Sequence, residues 1–238
     1  MQKSSKSLIL KRVAYGDADW IVTFFSREFG RMSGMAKFAR SSKRRFGGAL
    51  EPGTLVDLQF VGRNGSPLVR LDEAVALRST NGILKSLDRI NAMARALELS
   101  ISFLQEHQPT PEKFDLLDRY LTWLNEHDPS VRETSAFEFK WLTRSGFMPG
   151  LERCMRCDKD VSRGANWVFD LDNGSLLCNA CSSSSIAKLH VTNGALEGLY
   201  KISSGNFDVS SEKAMAAERI LHRYTEYVLG KPLKYKPL

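Results

Sequence analysis

The chain has 238 residues, 42% of them hydrophobic and 26% charged, values that place it among globular proteins and outside the disordered and fibrous classes. No run of about 18 apolar residues occurs, which excludes a membrane-spanning helix. The apolar stretch Leu8-Ile9-Leu10 behind the basic start is too short for a signal peptide, so a cytoplasmic protein with no membrane contact and reduced cysteines is expected. The net charge of +7 is unevenly placed. Residues 1–80 hold 14 Lys and Arg against 7 Asp and Glu, whereas residues 81–238 carry 20 of each sign. An anion-binding surface therefore belongs to the first third of the chain.

Residues 7 to about 77 read as short strands. Leu8-Ile9-Leu10 leads to a turn at Tyr15-Gly16-Asp17, and residues 20–25 are rich in β-branched and aromatic side chains. A third strand is expected over residues 31–39, with Met32, Gly34, Ala36 and Phe38 on one face. Glu51-Pro52-Gly53 punctuates the chain before the alternating run 54–61. Asn64-Gly65 suits a type I′ turn, returning a hairpin through Leu68, Val69 and Leu71. Five strands at this spacing predict a small closed barrel, of the oligonucleotide-binding (OB) or the SH3-like kind.

The period then changes from 2 to 3.6. Leu84, Leu87, Ile90, Ala94, Leu97, Ile101 and Leu104 describe one long amphipathic helix capped by Thr80 or Asn81. A second helix starts at Thr110-Pro111, with Phe114, Leu117, Leu121 and Leu124 as its stripe. A third spans residues 131–145 and stops at Gly146. Helices return over residues 192–203 and 212–229, the last capped by Ser210 or Ser211, ended by Gly230, and docking through Met215, Ile220, Leu221, Tyr224 and Val228. Trp123 and Trp141 read as core rather than as the lining of a partner groove.

Within this frame, residues 29–50 carry six cations (Arg31, Lys37, Arg40, Lys43, Arg44, Arg45) and no acid. Crowded cations repel unless an anion lies beside them, and a polyphosphate would release counterions on contact. Phe38 and Phe46 among them offer faces on which unpaired bases stack. A solvated surface loop is the bland alternative, and Gly47-Gly48 fits either a phosphate approach or mere flexibility. Asp17 and Asp19 form a D-x-D pair of the kind that holds a divalent metal in nucleases, although a turn before a strand explains them more simply. His107, His127, His190 and His222 are scattered, and none stands beside a nucleophile. There is no P-loop and no dinucleotide-binding glycine motif.

Cys154-Met155-Arg156-Cys157 and Cys178-Asn179-Ala180-Cys181 are two C-x-x-C knuckles. Two thiolates on one tight turn converge, and two such turns complete the closed tetrahedral sulfur shell of structural zinc. Residues 167–171 and 176–177 flank Asn173-Gly174, which predicts a hairpin joining the knuckles, as in zinc ribbons. Redox dithiols or disulfides are the competing readings. They suit neither a chain without thioredoxin-like context nor a reducing compartment.

Taken together these residues resemble the RecO family of bacterial recombination mediators. The likeness rests on Leu10-Lys11-Arg12, Tyr15-Gly16-Asp17-Ala18-Asp19, Phe24-Phe25, Phe29-Gly30, Ala36-Lys37, Ala39-Arg40 and residues 46–52, then on the two cysteine knuckles and on Gly230-Lys231-Pro232-Leu233-Lys234. Phe38 departs from it, since the family usually has glycine there.

The resemblance implies an α+β protein: an N-terminal OB-fold β-barrel (1–79), a C-terminal α-helical bundle (80–150 and 186–238) and an inserted four-cysteine zinc ribbon (151–185). It implies a non-enzymatic mediator of DNA repair and recombination. Such a protein binds single- and double-stranded DNA, anneals complementary strands and helps load RecA on DNA coated by single-strand DNA-binding protein (SSB) in the RecF pathway. RecR and the acidic C-terminal tail of SSB are the implied protein partners. Lys37, Arg40, Lys43, Arg44 and Arg45 are then the expected DNA contacts, with Lys11 and Arg12 as lesser ones. Cys154, Cys157, Cys178 and Cys181 are the Zn2+ ligands. Arg132 and Lys140 are candidates for the SSB tail. A zinc-ribbon adaptor whose basic arm serves only non-specific polyanion binding is the alternative.

Overall fold

The structure is a computed structural model describing residues 2–42, 44–62, 67–162 and 166–235. The expected turn at Asn64-Gly65 and the DNA candidate Lys43 lie outside the described residues. The chain divides into two compact units, Met1–Asp128 and Pro129–Leu238. The first unit takes in the barrel and the two helices that follow, so the expected junction at residue 79 falls inside it.

In the first unit, β1 (Gln2–Tyr15), β2 (Asp19–Ser26), β3 (Gly30–Ala36), β4 (Leu55–Val61) and β5 (Leu68–Arg78) close into a barrel in the order β1-β2-β3-β5-β4. β1 pairs antiparallel with both β2 and β4, and β3 pairs with β5 in parallel, at Ser33↔Leu68 through Ala36↔Leu71. This doubly paired first strand and parallel closure select the OB arrangement. Gly34 is required at the seam: a Cβ there would lie 2.5 Å from Leu71 Cδ2 and 2.9 Å from Val69 Cγ2. The inside is filled by Ile9, Val22, Phe24, Met32, Ala36, Val56, Leu58, Phe60, Val69 and Leu71.

Two apolar runs break the strict alternation because both sheet faces are covered. Leu8, Ile9 and Leu10 are all buried, and the register of β1 shifts between Ile9 and Lys11, which marks a bulge. Phe24 points into the barrel against Phe60, whereas Phe25 meets Phe114 edge-on at 5.4 Å. Phe114 belongs to α2 (Pro111–Leu124), whose expected stripe Phe114, Leu117, Leu121 and Leu124 is fully buried.

The helix before it differs from expectation. A single 3-10 turn, Ile83–Lys85, precedes α1 (Leu87–Phe103), and neither Thr80 nor Asn81 is its cap. Asn125 Oδ1 instead accepts from the amides of Gly82 and Ile83 at 3.0 and 3.1 Å. The tighter turn puts the stripe out of phase: Leu84 and Leu87 are exposed, and the buried side chains include Ala92, Met93, Ala96, Leu97 and Leu99.

The second unit holds α3 (Val131–Arg144), a three-stranded antiparallel sheet and two further helices. Ser130 and Glu133 form a capping box on α3. β6 (Trp167–Asp170) and β7 (Ser175–Cys178) make the expected hairpin, and β8 (Lys188–Val191) adds an unforeseen third strand on β6. α4 (Asn193–Ser203) is capped by Thr192, and α5 (Ser211–Leu229) by Ser210, with Gly230 left-handed at its end. On α5, Ile220, Leu221 and Tyr224 are buried as expected, but Met215 is exposed. Trp141 is fully buried, so it lines no groove.

Candidate nucleic-acid interface and metal centre

The segment after β3 is an ordered cap rather than a loose loop. Strand geometry ends at Ala36, short of the expected residue 39, because the chain turns sharply at Phe38, where φ is +56°. Asp19 Oδ1 accepts from the amide of Phe38 at 2.8 Å, the amide of Arg40 donates to the Ala18 carbonyl at 3.0 Å, and that of Ser42 donates to the Phe38 carbonyl at 3.1 Å. Farther on, the Ala74 amide donates to the Arg45 carbonyl at 2.9 Å, tying the segment to β5. Phe46, Ala49 and Leu50 are buried in the barrel core. Phe46 is thus a plug and offers no face to a base, contrary to the sequence reading.

With Phe46, Ala49 and Leu50 turned inward, the cations are left outside. Among the described residues no carboxylate lies within ion-pair distance of Lys11, Lys37, Arg40, Arg44 or Arg45. Arg40 donates to the Asp17 carbonyl at 3.0 Å and Arg45 to the Lys37 carbonyl at 2.5 Å, so both keep their charge unneutralised. Two cations of the region are otherwise engaged. Arg31 donates to the Leu104 carbonyl at 2.9 Å and pairs with Glu106 at 3.3 Å. Arg12 pairs with Glu51 at 2.7 Å. The same holds elsewhere on the barrel, where Arg27 pairs with Asp115 at 3.1 Å and Arg78 with Asp118. The Arg27 hydrogen bond holds the Asp115 carboxyl below its usual range. Among the described cations of the barrel and its cap, most of those without a carboxylate partner lie on the cap.

Trp20 is the feature the sequence reading passed over, since it looked like one more strand aromatic. The Arg12 guanidinium lies over its ring at 4.6 Å from the centroid and that of Arg40 at 5.9 Å. Trp20, Arg12, Arg40, Ser42, Gly47, Gly48 and Glu51 line a cleft of about 320 Å³. Gly47 and Gly48 are both left-handed, with φ of 42° and 86°, so their turn brings backbone to the cleft wall without side chains. A cleft of this shape can admit a phosphate or a base between two guanidinium groups and bare backbone. Asp19 spends one oxygen on the Phe38 amide. Among the described residues the single cluster of potential metal ligands is elsewhere.

That cluster is formed by Cys154, Cys157, Cys178 and Cys181, whose sulfurs all lie within 4.8 Å of one another. The first knuckle is closed by the Cys154 amide donating to the Lys159 carbonyl at 2.8 Å, and it is tied to β7 through the Met155 amide and the Leu176 carbonyl at 3.0 Å. β7 ends on Cys178, whose amide donates to Cys154 Sγ at 3.4 Å. Cys157 Sγ and Cys178 Sγ are 3.7 Å apart, close to the edge of about 3.8 Å that a tetrahedron with 2.3 Å metal–sulfur bonds requires.

Packing four thiols together splits their acidities. Burial pushes Cys154 up, but amide donors from Cys178, Cys157 and Arg156 outweigh it and bring that thiol down to about 6. Cys181 is pushed up to about 12, first by its hydrogen bond to Cys178 and then by burial. Four thiolates can coexist here only around a cation, and the donor set fits a closed, soft-ligand site compatible with zinc.

Arg132 donates to the Val209 carbonyl at 2.8 Å and to Ser211 Oγ at 3.3 Å within its own unit, while Lys140 is exposed. His127 stacks on Trp123 at 5.2 Å, and His222 lies 3.4 Å from Glu226. Among the described residues no helix is long and apolar enough to cross a membrane.

An OB barrel capped by uncompensated cations and followed by a cysteine-clustered unit defines a class of nucleic-acid-handling proteins. Comparison with known proteins narrows it. Residues 1–80 match the family "Recombination protein O N terminal" and residues 84–237 the family "Recombination protein O C terminal". The chain is 35% identical over 232 residues to the DNA repair protein RecO of Anaeromyxobacter dehalogenans (strain 2CP-C), covering 95% of this chain and 91% of that protein. It is 32% identical to the one from Myxococcus xanthus, with 96% and 93% covered, and 30% identical to that of Syntrophus aciditrophicus, with 97% and 92% covered. The chain belongs to the RecO family of DNA repair proteins.

Proposed function

We propose that this protein binds single- and double-stranded DNA through the cap of its barrel, anneals complementary strands, and helps load RecA on DNA coated by SSB, with RecR and the acidic SSB tail as its protein partners. No covalent chemistry is part of this reading. The observation that carries it is the set of cap cations, Lys37, Arg40, Arg44 and Arg45, which have no acidic partner among the described residues although most cations elsewhere on the barrel do. Strands brought to one positive surface lose the phosphate repulsion that slows their pairing. Lys43 belongs to the same stretch by sequence, and Lys11 and Arg12 border it. Arg12 is the weaker contact because Glu51 already neutralises it.

Cys154, Cys157, Cys178 and Cys181 hold a structural Zn2+, which supplies cross-linking and no reaction. The testing experiment is annealing of complementary strands coated with SSB, by the full chain and by the variant with Lys37, Arg40, Arg44 and Arg45 changed to Ala. Loss of annealing in the variant is the expected result. Polyanion binding by the wild type without any annealing would overturn it in favour of a zinc-ribbon adaptor.

A further inference from the structure

We infer that Phe38 stacks on an unpaired base and gives the cap a preference for single strands over duplex; the inference rests on the DNA-binding reading above. Three observations converge on this side chain. Its backbone is left-handed, with φ of +56°, a region that a bulky aromatic residue rarely occupies and glycine enters freely. The residue is 63% exposed, more than any other Phe, Tyr or Trp among the described residues. Among those residues no other ring and no cation packs on it, whereas Phe46, on the same cap, is buried beneath the Arg45 guanidinium.

The ring does not hold the turn together. The turn is closed by backbone and by Asp19: the Phe38 amide donates to Asp19 Oδ1, and the Phe38 carbonyl accepts from the amides of Ser41 and Ser42 at 3.3 and 3.1 Å. A glycine would keep each of these bonds. Strain and exposure without a folding role are features expected of a ligand contact.

Chemistry identifies the ligand. Lys37 and Arg40 flank the ring in sequence and are exposed, so a phosphate chain following them passes the ring. The phosphates of single strands and duplex are alike to those cations. An unpaired base presents an open π-face to an aromatic side chain, whereas a base within a duplex already stacks on its neighbours. Phe38 therefore adds to single-strand affinity alone. During annealing the contact is surrendered as each base pairs, which favours release of the duplex product.

The test is fluorescence anisotropy with full-length protein, using a labelled oligothymidylate and a fully paired duplex of equal length at one salt concentration. Phe38→Gly is expected to weaken single-strand binding by at least about fivefold and to leave duplex binding unchanged. Phe38→Trp keeps both the ring and the left-handed backbone, so it should retain wild-type single-strand affinity, which separates lost stacking from lost folding. Equal losses on both DNAs, or no loss on the single strand, would overturn the role of Phe38 while DNA binding stands. A wild-type protein that binds neither probe would overturn the DNA-binding reading itself.

Discussion

Arg31 and Arg44 stand in one basic stretch and have opposite fates. Arg31 is spent within the fold, on the Leu104 carbonyl and Glu106, while Arg44 is exposed with no acid near it among the described residues. The two should separate in measurement. Arg31→Ala should lower stability by about 1 kcal/mol and leave the salt dependence of DNA binding unchanged. Arg44→Ala should do the reverse, making the slope of log K against log salt about 0.7 less steep on single strands. Thermal melts and a salt titration of each variant decide this. Counting charges along the chain could not tell these residues apart, because the acids that claim Arg31, Arg27 and Arg78 sit far away in sequence, at Glu106, Asp115 and Asp118. The cysteines were legible for the opposite reason, since each knuckle is local and the C-x-x-C spacing itself dictates convergence.

At the scale of elements, periodicity placed α2 well and α1 poorly. The α2 stripe lies on one face from a proline start, so its phase is fixed by the sequence. The phase of α1 is set by the 3-10 turn before it, which is held by Asn125 from the end of the following helix. That contact is invisible from residues 80–104 alone. The same helix pair carries a measurable burden at Lys113, which is 8% exposed on α2. Burial lowers its pKa from 10.5, with Glu112 acting in the other direction. The folded state thus binds this proton more weakly than the unfolded chain, so stability rises as pH climbs toward the normal lysine range. Lys113→Met should raise stability at pH 7 and flatten the gain that wild type shows as pH rises toward 10 in thermal melts. The cap was legible as a basic stretch, but its outward and inward sides were not: Phe38 and Phe46 look alike until the turn at Phe38 assigns one to solvent and the other to the core.

For the molecule as a whole, the compact units and the family boundaries cut the chain at different places. The two family matches meet between residues 80 and 84, yet the first compact unit continues to Asp128. Phe25 explains why, because its ring is covered by Phe114. A fragment of residues 1–128 should therefore unfold cooperatively and bind DNA. A fragment of residues 1–79, which bares Phe25 and leaves Arg27 and Arg78 without their acids, should aggregate or melt without cooperativity. Circular dichroism and anisotropy on the two fragments test this. The cysteine site belongs to the other unit, so metal analysis should find about one zinc per chain. A chelator should lower the stability of residues 129–238 while sparing the 1–128 fragment. Retention of full thermal stability by metal-free protein would count against a structural metal.

Phe46, Ala49 and Leu50 stopper one mouth of the barrel with the same few residues that bear Arg44 and Arg45 on their outer side. Cutting that peptide away to remove its charge would uncork the cylinder and let water into the core that Phe46, Ala49 and Leu50 complete. The proposed binding surface and the stopper are a single piece of chain, so its charge can be removed without opening the barrel only by exchanging side chains one at a time.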